Sequence, residues 1–260
     1  MGLNEIYMTL FDDMVEWLIP AALAILKECK QMVEPSPMYQ YKMFSRFFIH
    51  FLDKHKTFNQ VWFQQTFLFC FAWAYGSALT VNGQKHFDTL IRKILYGSNE
   101  EYPRPKYFSL NRGQMFPEKL SLMDYRFDEV ENWWTWQKST DDPTAPANVF
   151  PERAIISELI VPTKESGQIT YWQEFCINKS YPMLVIGPTG TGKSAVIISN
   201  LNALPKNTNL VNIVNFSART SAQLKLFSYY SNFGSSFATA IAEIHSNTKI
   251  GSSTTLFGMP

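Results

Sequence analysis

The strongest constraint in this 260-residue chain is a run of eight residues. Gly187-Pro188-Thr189-Gly190-Thr191-Gly192-Lys193-Ser194 satisfies G-x-x-x-x-G-K-[ST] at each defined position. Met183 to Ile186 precedes it, a short apolar run bounded by Pro182 and Gly187, which predicts a buried strand. Lys193 to Leu201 follows with a helical pattern, and Leu210 to Phe216 reads as a second strand. Strand, glycine turn, helix, strand predicts a βαβ unit, hence a parallel sheet and an α/β fold in this half of the chain. Gly190 and Gly192 would let the loop turn its backbone N–H groups inward around an anion, and the positive end of the following helix would add to that field. A chance match in a chain this long is expected roughly 1% of the time at average glycine usage, so the turn is read as a phosphate cradle.

In such a cradle Lys193 reaches the terminal phosphates as a mobile charge, and the Ser194 hydroxyl is placed to ligate Mg²⁺. Hydrolysis needs more: an acidic pair at the end of a neighbouring strand, to hold the metal and orient water. The last aspartate here is Asp142, and the only acidic residue after Lys193 is Glu243, in FATAIAEIHS. That setting lacks an apolar strand ending in paired carboxylates, so Glu243 is read as an ordinary surface or helix carboxylate. The residues therefore predict nucleotide binding without turnover by this chain alone.

The first half reads as helical. Leu10, Met14, Trp17, Leu18 and Ala21 share one face of a helix over residues 4–34, which Pro20 is expected to kink or split. Further helices are predicted over 39–54, 59–79 and 87–96. Thr57 to Gln84 carries no charge, but Asn59, Gln60, Gln64 and Gln65 interrupt it and Asn82-Gly83-Gln84 closes it. The continuous apolar part is shorter than the about 20 residues a membrane span needs, so a buried core helix is expected and no membrane partner. Its aromatic residues are read as core packing. With 23 basic and 22 acidic residues the chain has no field to draw in nucleic acid. Cys29, Cys70 and Cys176 are far apart, form no metal-type pair and are read as reduced thiols; no secretory signal is visible. Residues 97–150 are punctuated by Pro103, Pro105, Pro117, Pro143 and Pro146, hold Trp133, Trp134 and Trp136, and read as a partly extended connector.

Taken together the residues resemble a known family. Ser157-Glu158-Leu159-Ile160-Val161-Pro162-Thr163, then Pro182 to Ile186 with GPTGTGKS, then Val214-Asn215-Phe216-Ser217-Ala218-Arg219, is similar to the third AAA+ module of dynein heavy chains. FDDMVEWLIPAALAIL and VWFQQTFLFCFAWAYGSAL resemble the helical lid of the second module, the axonemal branch being the nearer likeness. The resemblance runs from about residue 4 to 222. It implies a helical lid-like domain over 1–96, the connector over 97–150, an incomplete P-loop AAA+ module over 151–222 and a divergent Ser/Thr-rich tail over 223–260.

What the resemblance implies functionally is part of a microtubule minus-end-directed motor with ATP and Mg²⁺ as cofactors. Gly187 to Ser194 would hold the phosphates, and Val161 and Pro162 would pack against adenine. In the family the third module's nucleotide state is regulatory, gating the main hydrolytic site in the first. Partners would be the intermediate and light chains and, through the full-length motor, microtubules, in the cytoplasm, the cytoskeleton and the axoneme of a cilium or flagellum. Two other readings stay open on the residues alone: a non-catalytic interaction protein with a vestigial loop, and a stand-alone P-loop NTPase. The tail of about 38 residues is expected to be too short to complete a sheet, leaving an open strand edge.

Overall fold

The computed structural model describes residues 5–55, 59–127, 133–136, 161–209, 211–217, 240–245 and 252–258. The chain divides into two units, Met1–Trp136 and Gln137–Pro260.

The first unit is built on four helices, α1 (Glu5–Glu28), α2 (Pro37–Lys54), α3 (Gln60–Gly76) and α4 (Val81–Leu95). A short 3₁₀ turn, Leu122–Asp124, leads into β1 (Tyr125–Phe127), which pairs antiparallel with β2 (Trp133–Thr135). The helix starts are written in the sequence. Ser36, Asn59 and Thr80 each accept a hydrogen bond from the backbone N–H three residues on, and Pro37 sits where its missing N–H costs nothing.

Leu10, Met14, Trp17, Leu18 and Ala21 are all buried on α1, as their spacing predicts. Pro20, however, lies inside one helix and does not divide it. Burial of Leu10, Leu18 and Leu26 on the same helix, at about 1.5–3 kcal/mol each, outweighs the about 3 kcal/mol that an interior proline costs.

Every residue of α3 from Trp62 to Gly76 is buried, so this helix has no solvent face. The polar residues that interrupt its apolar run serve the core. Gln64 donates from Nε2 to Ser109 Oγ at 3.0 Å and accepts from the Ser109 N–H at 3.0 Å, while Gln65 Nε2 donates to the Gln114 carbonyl at 2.7 Å. Aromatic rings fill the space around it: Phe44 meets Phe67 edge-on at 4.8 Å and Phe48 meets Phe63 at 5.1 Å. Among the described residues no helix is long and apolar enough to cross a membrane.

The fourth helix begins at Val81, six residues ahead of the expected start. Asn82-Gly83-Gln84 reads as a break, but Gly83 is there for space: a Cβ on it would stand 2.5 Å from the Lys30 carbonyl oxygen. Thr80 holds that same carbonyl through its N–H at 3.1 Å and its hydroxyl at 3.0 Å. The tryptophans fasten the later segments by indole N–H donation: Trp17 to the Tyr102 carbonyl, Trp133 to that of Gln114, and Trp136 to that of Met123.

The second unit contains α5 (Lys164–Asn178), β3 (Leu184–Pro188), α6 (Lys193–Asn202), β4 (Asn212–Ser217), β5 (Ala240–His245) and β6 (Ser252–Gly258). Strand, turn and helix fall where the sequence places them. The sheet differs from expectation. Its order is β3-β6-β5-β4, with β4 and β5 parallel and β6 antiparallel to both neighbours. It is therefore mixed, and β3 and β4 are separated by two strands from the tail. Glu243, read as a surface or helix carboxylate, lies on β5 opposite Asn215 and Thr255. The expected run of parallel neighbours fails because strand periodicity shows which residues are extended but not which strands pair.

Candidate phosphate-binding site

The loop joins the end of β3 to the start of α6. Val185 on β3 and Ile197 and Leu201 on α6 form a small apolar core, with Ile169, Ile177, Met183 and Leu204 packed against it. This core fixes the direction in which the strand delivers its turn to the helix. Gly187 is buried at the strand end, whereas Pro188, Thr189, Gly190, Thr191 and Gly192 are exposed.

Gly190 has φ +82° and Gly192 φ +75°, both in the left-handed region that side-chain-bearing residues avoid. A Cβ on either would meet nothing within 4 Å, so the backbone turn alone demands glycine there. Gly192 is also the N-cap of α6 and supplies no side chain to the first turn. Backbone N–H groups at a helix start of this kind are suited to an anion.

Lys193 is buried, with 7% of its surface exposed, and folds back over the loop. Its Nζ donates to the Pro188 carbonyl and, at 2.9 Å, to Thr191 Oγ1. The Thr191 hydroxyl in turn donates to the Pro188 carbonyl at 3.0 Å. The Lys193 ammonium is thereby held beside the cradle, and these two acceptors are neutral oxygens, weaker partners for it than phosphate oxygens. Ser194 follows on the first turn of α6, half-buried. These residues fit a nucleotide's phosphates and one magnesium ligand. Between Lys193 and Glu243 the sequence offers no carboxylate as a second metal ligand.

Val161 and Pro162 stand immediately before α5, Val161 with 66% of its surface exposed. Thr163 caps the helix and closes a reciprocal box with Ser166.

Helix α5 is tied to α6 by polar groups that sequence reading missed. Gln173, 1% exposed, donates from Nε2 to the Ile197 carbonyl at 3.2 Å. Asn200 Nδ2 donates to Gln173 Oε1 at 2.8 Å and to Thr170 Oγ1 at 3.0 Å. The available signal is the pair of three-residue spacings, 170/173 and 197/200, which place each pair on one helix face.

Comparison with known proteins places both units. The dynein heavy chain AAA lid domain matches residues 11–138, and the P-loop containing dynein motor region matches residues 148–226. Human dynein axonemal heavy chain 3 is 33% identical over 239 residues, covering 85% of this chain and 6% of the relative. Rat dynein axonemal heavy chain 12 is 30% identical over 239 residues, covering 85% and 8%. Human dynein axonemal heavy chain 2 is 28% identical over 220 residues, covering 80% and 4%. The chain thus spans less than a tenth of the length of these relatives.

Proposed function

We propose that this chain, which belongs to the dynein heavy-chain family, binds ATP with Mg²⁺ in the Gly187 to Ser194 loop and does not by itself hydrolyse it. The observation that carries the reading is the exposed turn with two left-handed glycines beside a parked lysine at a helix start. Gly187 to Gly192 would wrap the phosphates with backbone N–H groups. Lys193 would leave Pro188 and Thr191 to meet the terminal phosphates, and Ser194 would ligate the metal. Bound Mg²⁺ would neutralise phosphate charge. Val161 and Pro162, at the mouth of α5, would pack against adenine.

The order of lid before P-loop along the chain supports the finer assignment, the lid of the second AAA+ module followed by the start of the third. On that assignment the site is regulatory within an axonemal minus-end-directed motor. The chain then works with intermediate and light chains and, through the whole motor, with microtubules, in the cytoplasm and the cytoskeleton of a cilium or flagellum.

The test is a calorimetric ATP titration of the full chain with magnesium, paired with a phosphate-release assay. Saturable binding with no release above background is expected. Lys193→Ala should lose about 10–150-fold in affinity, the worth of hydrogen bonds to a charged group. Ser194→Ala should chiefly weaken the magnesium dependence. Absence of saturable binding up to millimolar ATP sinks the proposal. Phosphate release abolished by Lys193→Ala would instead revive a stand-alone NTPase.

A further inference from the structure

We infer that Gln173 and Asn200 are positioning residues that lock the base-side segment to the phosphate loop, an inference that rests on the nucleotide reading above. The two ends of a nucleotide would be held by different elements. The phosphates belong to the loop that opens α6, and the base to Val161 and Pro162, which lead into α5. Among the described residues, a small apolar core and a polar network join those elements. Within it, Gln173 reaches the Ile197 carbonyl, one turn into the helix that Lys193 begins, and Asn200 returns a bond to Gln173 and another to Thr170.

This network is directional where the core is not. Apolar contacts among Ile169, Ile197 and Leu201 tolerate sliding by fractions of an ångström, whereas three amide hydrogen bonds at 2.8–3.2 Å fix register along both helix axes. Gln173 is almost wholly buried, so water cannot replace a lost partner. A ligand that touches both elements gains from that fixed spacing, and a ligand that touches only the loop does not.

Calorimetric titrations of the full chain with MgATP and with inorganic triphosphate separate the two cases. In wild type MgATP should bind more tightly than triphosphate. In Gln173→Met or Asn200→Leu the MgATP affinity should fall about tenfold while triphosphate binding stays unchanged, and the double variant should fall little further than either single one. An equal fall for both ligands overturns the inference, because it reports general loosening of the loop. Unchanged MgATP affinity in the variants overturns it as well, with the nucleotide reading intact. Wild-type chain that binds neither ligand removes that reading and the inference together. Should Gln173→Met not fold, Thr170→Val, at the partly exposed end of the network, carries the same expectation at about threefold.

Discussion

Arg92 is the side chain on which the lid unit's stability can be tested most sharply. It lies one turn after Asp88 on α4, and its Nε donates to Asp88 Oδ1 at 3.1 Å. The rest of the guanidinium collects three backbone carbonyls from the following segment: Phe116 at 3.1 Å, Pro117 at 3.0 Å and Leu120 at 2.9 Å. Asp88 completes the staple by accepting the Leu122 N–H at 2.9 Å. The two side chains keep 13% and 19% of their surface, so solvent can repair only part of the damage when one is removed. Hydrogen bonds to a charged group contribute about 1.5–3 kcal/mol each, and breaking a buried pair costs about 3–5 kcal/mol. The residual exposure sets the expectation for Arg92→Ala at the lower end, about 3 kcal/mol. In a urea titration followed by tryptophan fluorescence, that lowers the lid midpoint by about 1–3 M for slopes of 1–3 kcal/mol/M. Arg92→Lys should recover less than half, because an ammonium cannot present a planar fork to a carboxylate and three carbonyls at once. A change of under about 0.5 kcal/mol for Arg92→Ala, the range of a bland surface substitution, would refute the argument.

Two glycines give a paired prediction. Gly83→Ala must push aside the Lys30 carbonyl and should destabilise the lid by about 1–3 kcal/mol, whereas Gly192→Ala has room for its methyl and should cost only the about 1–2 kcal/mol of a left-handed alanine. Nucleotide affinity, measured in the same proteins, should fall for Gly192→Ala and hold for Gly83→Ala; the reverse pattern would contradict the site. A third prediction concerns alkaline pH. Burial pushes the Cys70 thiol well above its ordinary range, and burial followed by the Glu28 carboxylate raises Cys29. Unfolded thiols ionise near about pH 8.5 while the folded ones keep their protons, so the unfolded state then binds fewer protons. Lid stability should be level below that pH and decline above it, and Cys70→Ala should flatten the decline. A urea midpoint that stays constant or rises from pH 7 to about 9.5 contradicts this.

What the sequence revealed and what it withheld follow from the range of the interactions involved. The loop from Gly187 to Ser194, its strand and its helix are local, and each is set by residues within a few positions. The buried face of α1 is equally local. Gly83 and Gln64 are misread or underread for one reason: each is decided by a partner distant in sequence. Gly83 is required by the Lys30 carbonyl, and Gln64 is satisfied by Ser109; of the two outcomes expected at Pro20, the split does not occur. The sheet order is the extreme case, since Leu184 pairs with Leu256. The coupling of Gln173 to Asn200 is hidden in the same way, because two polar residues on two helices look like solvent-facing positions until the helices are docked.

The burial of α3 from Trp62 to Gly76 also has a consequence for how the chain is made. A helix with apolar rings on every side has little to gain from forming in water, and α1 and α2, which precede it, are ready to cover one side as it emerges. The other side waits for Ser109, which trails Gln64 by 45 residues. At synthesis rates of about 5–20 residues per second that is roughly 2–9 s, during which a strip of phenylalanine and tryptophan has no cover. The nascent chain therefore offers a holdase chaperone a defined binding segment, Trp62 to Gly76, and slowing translation after residue 76 should lengthen that association.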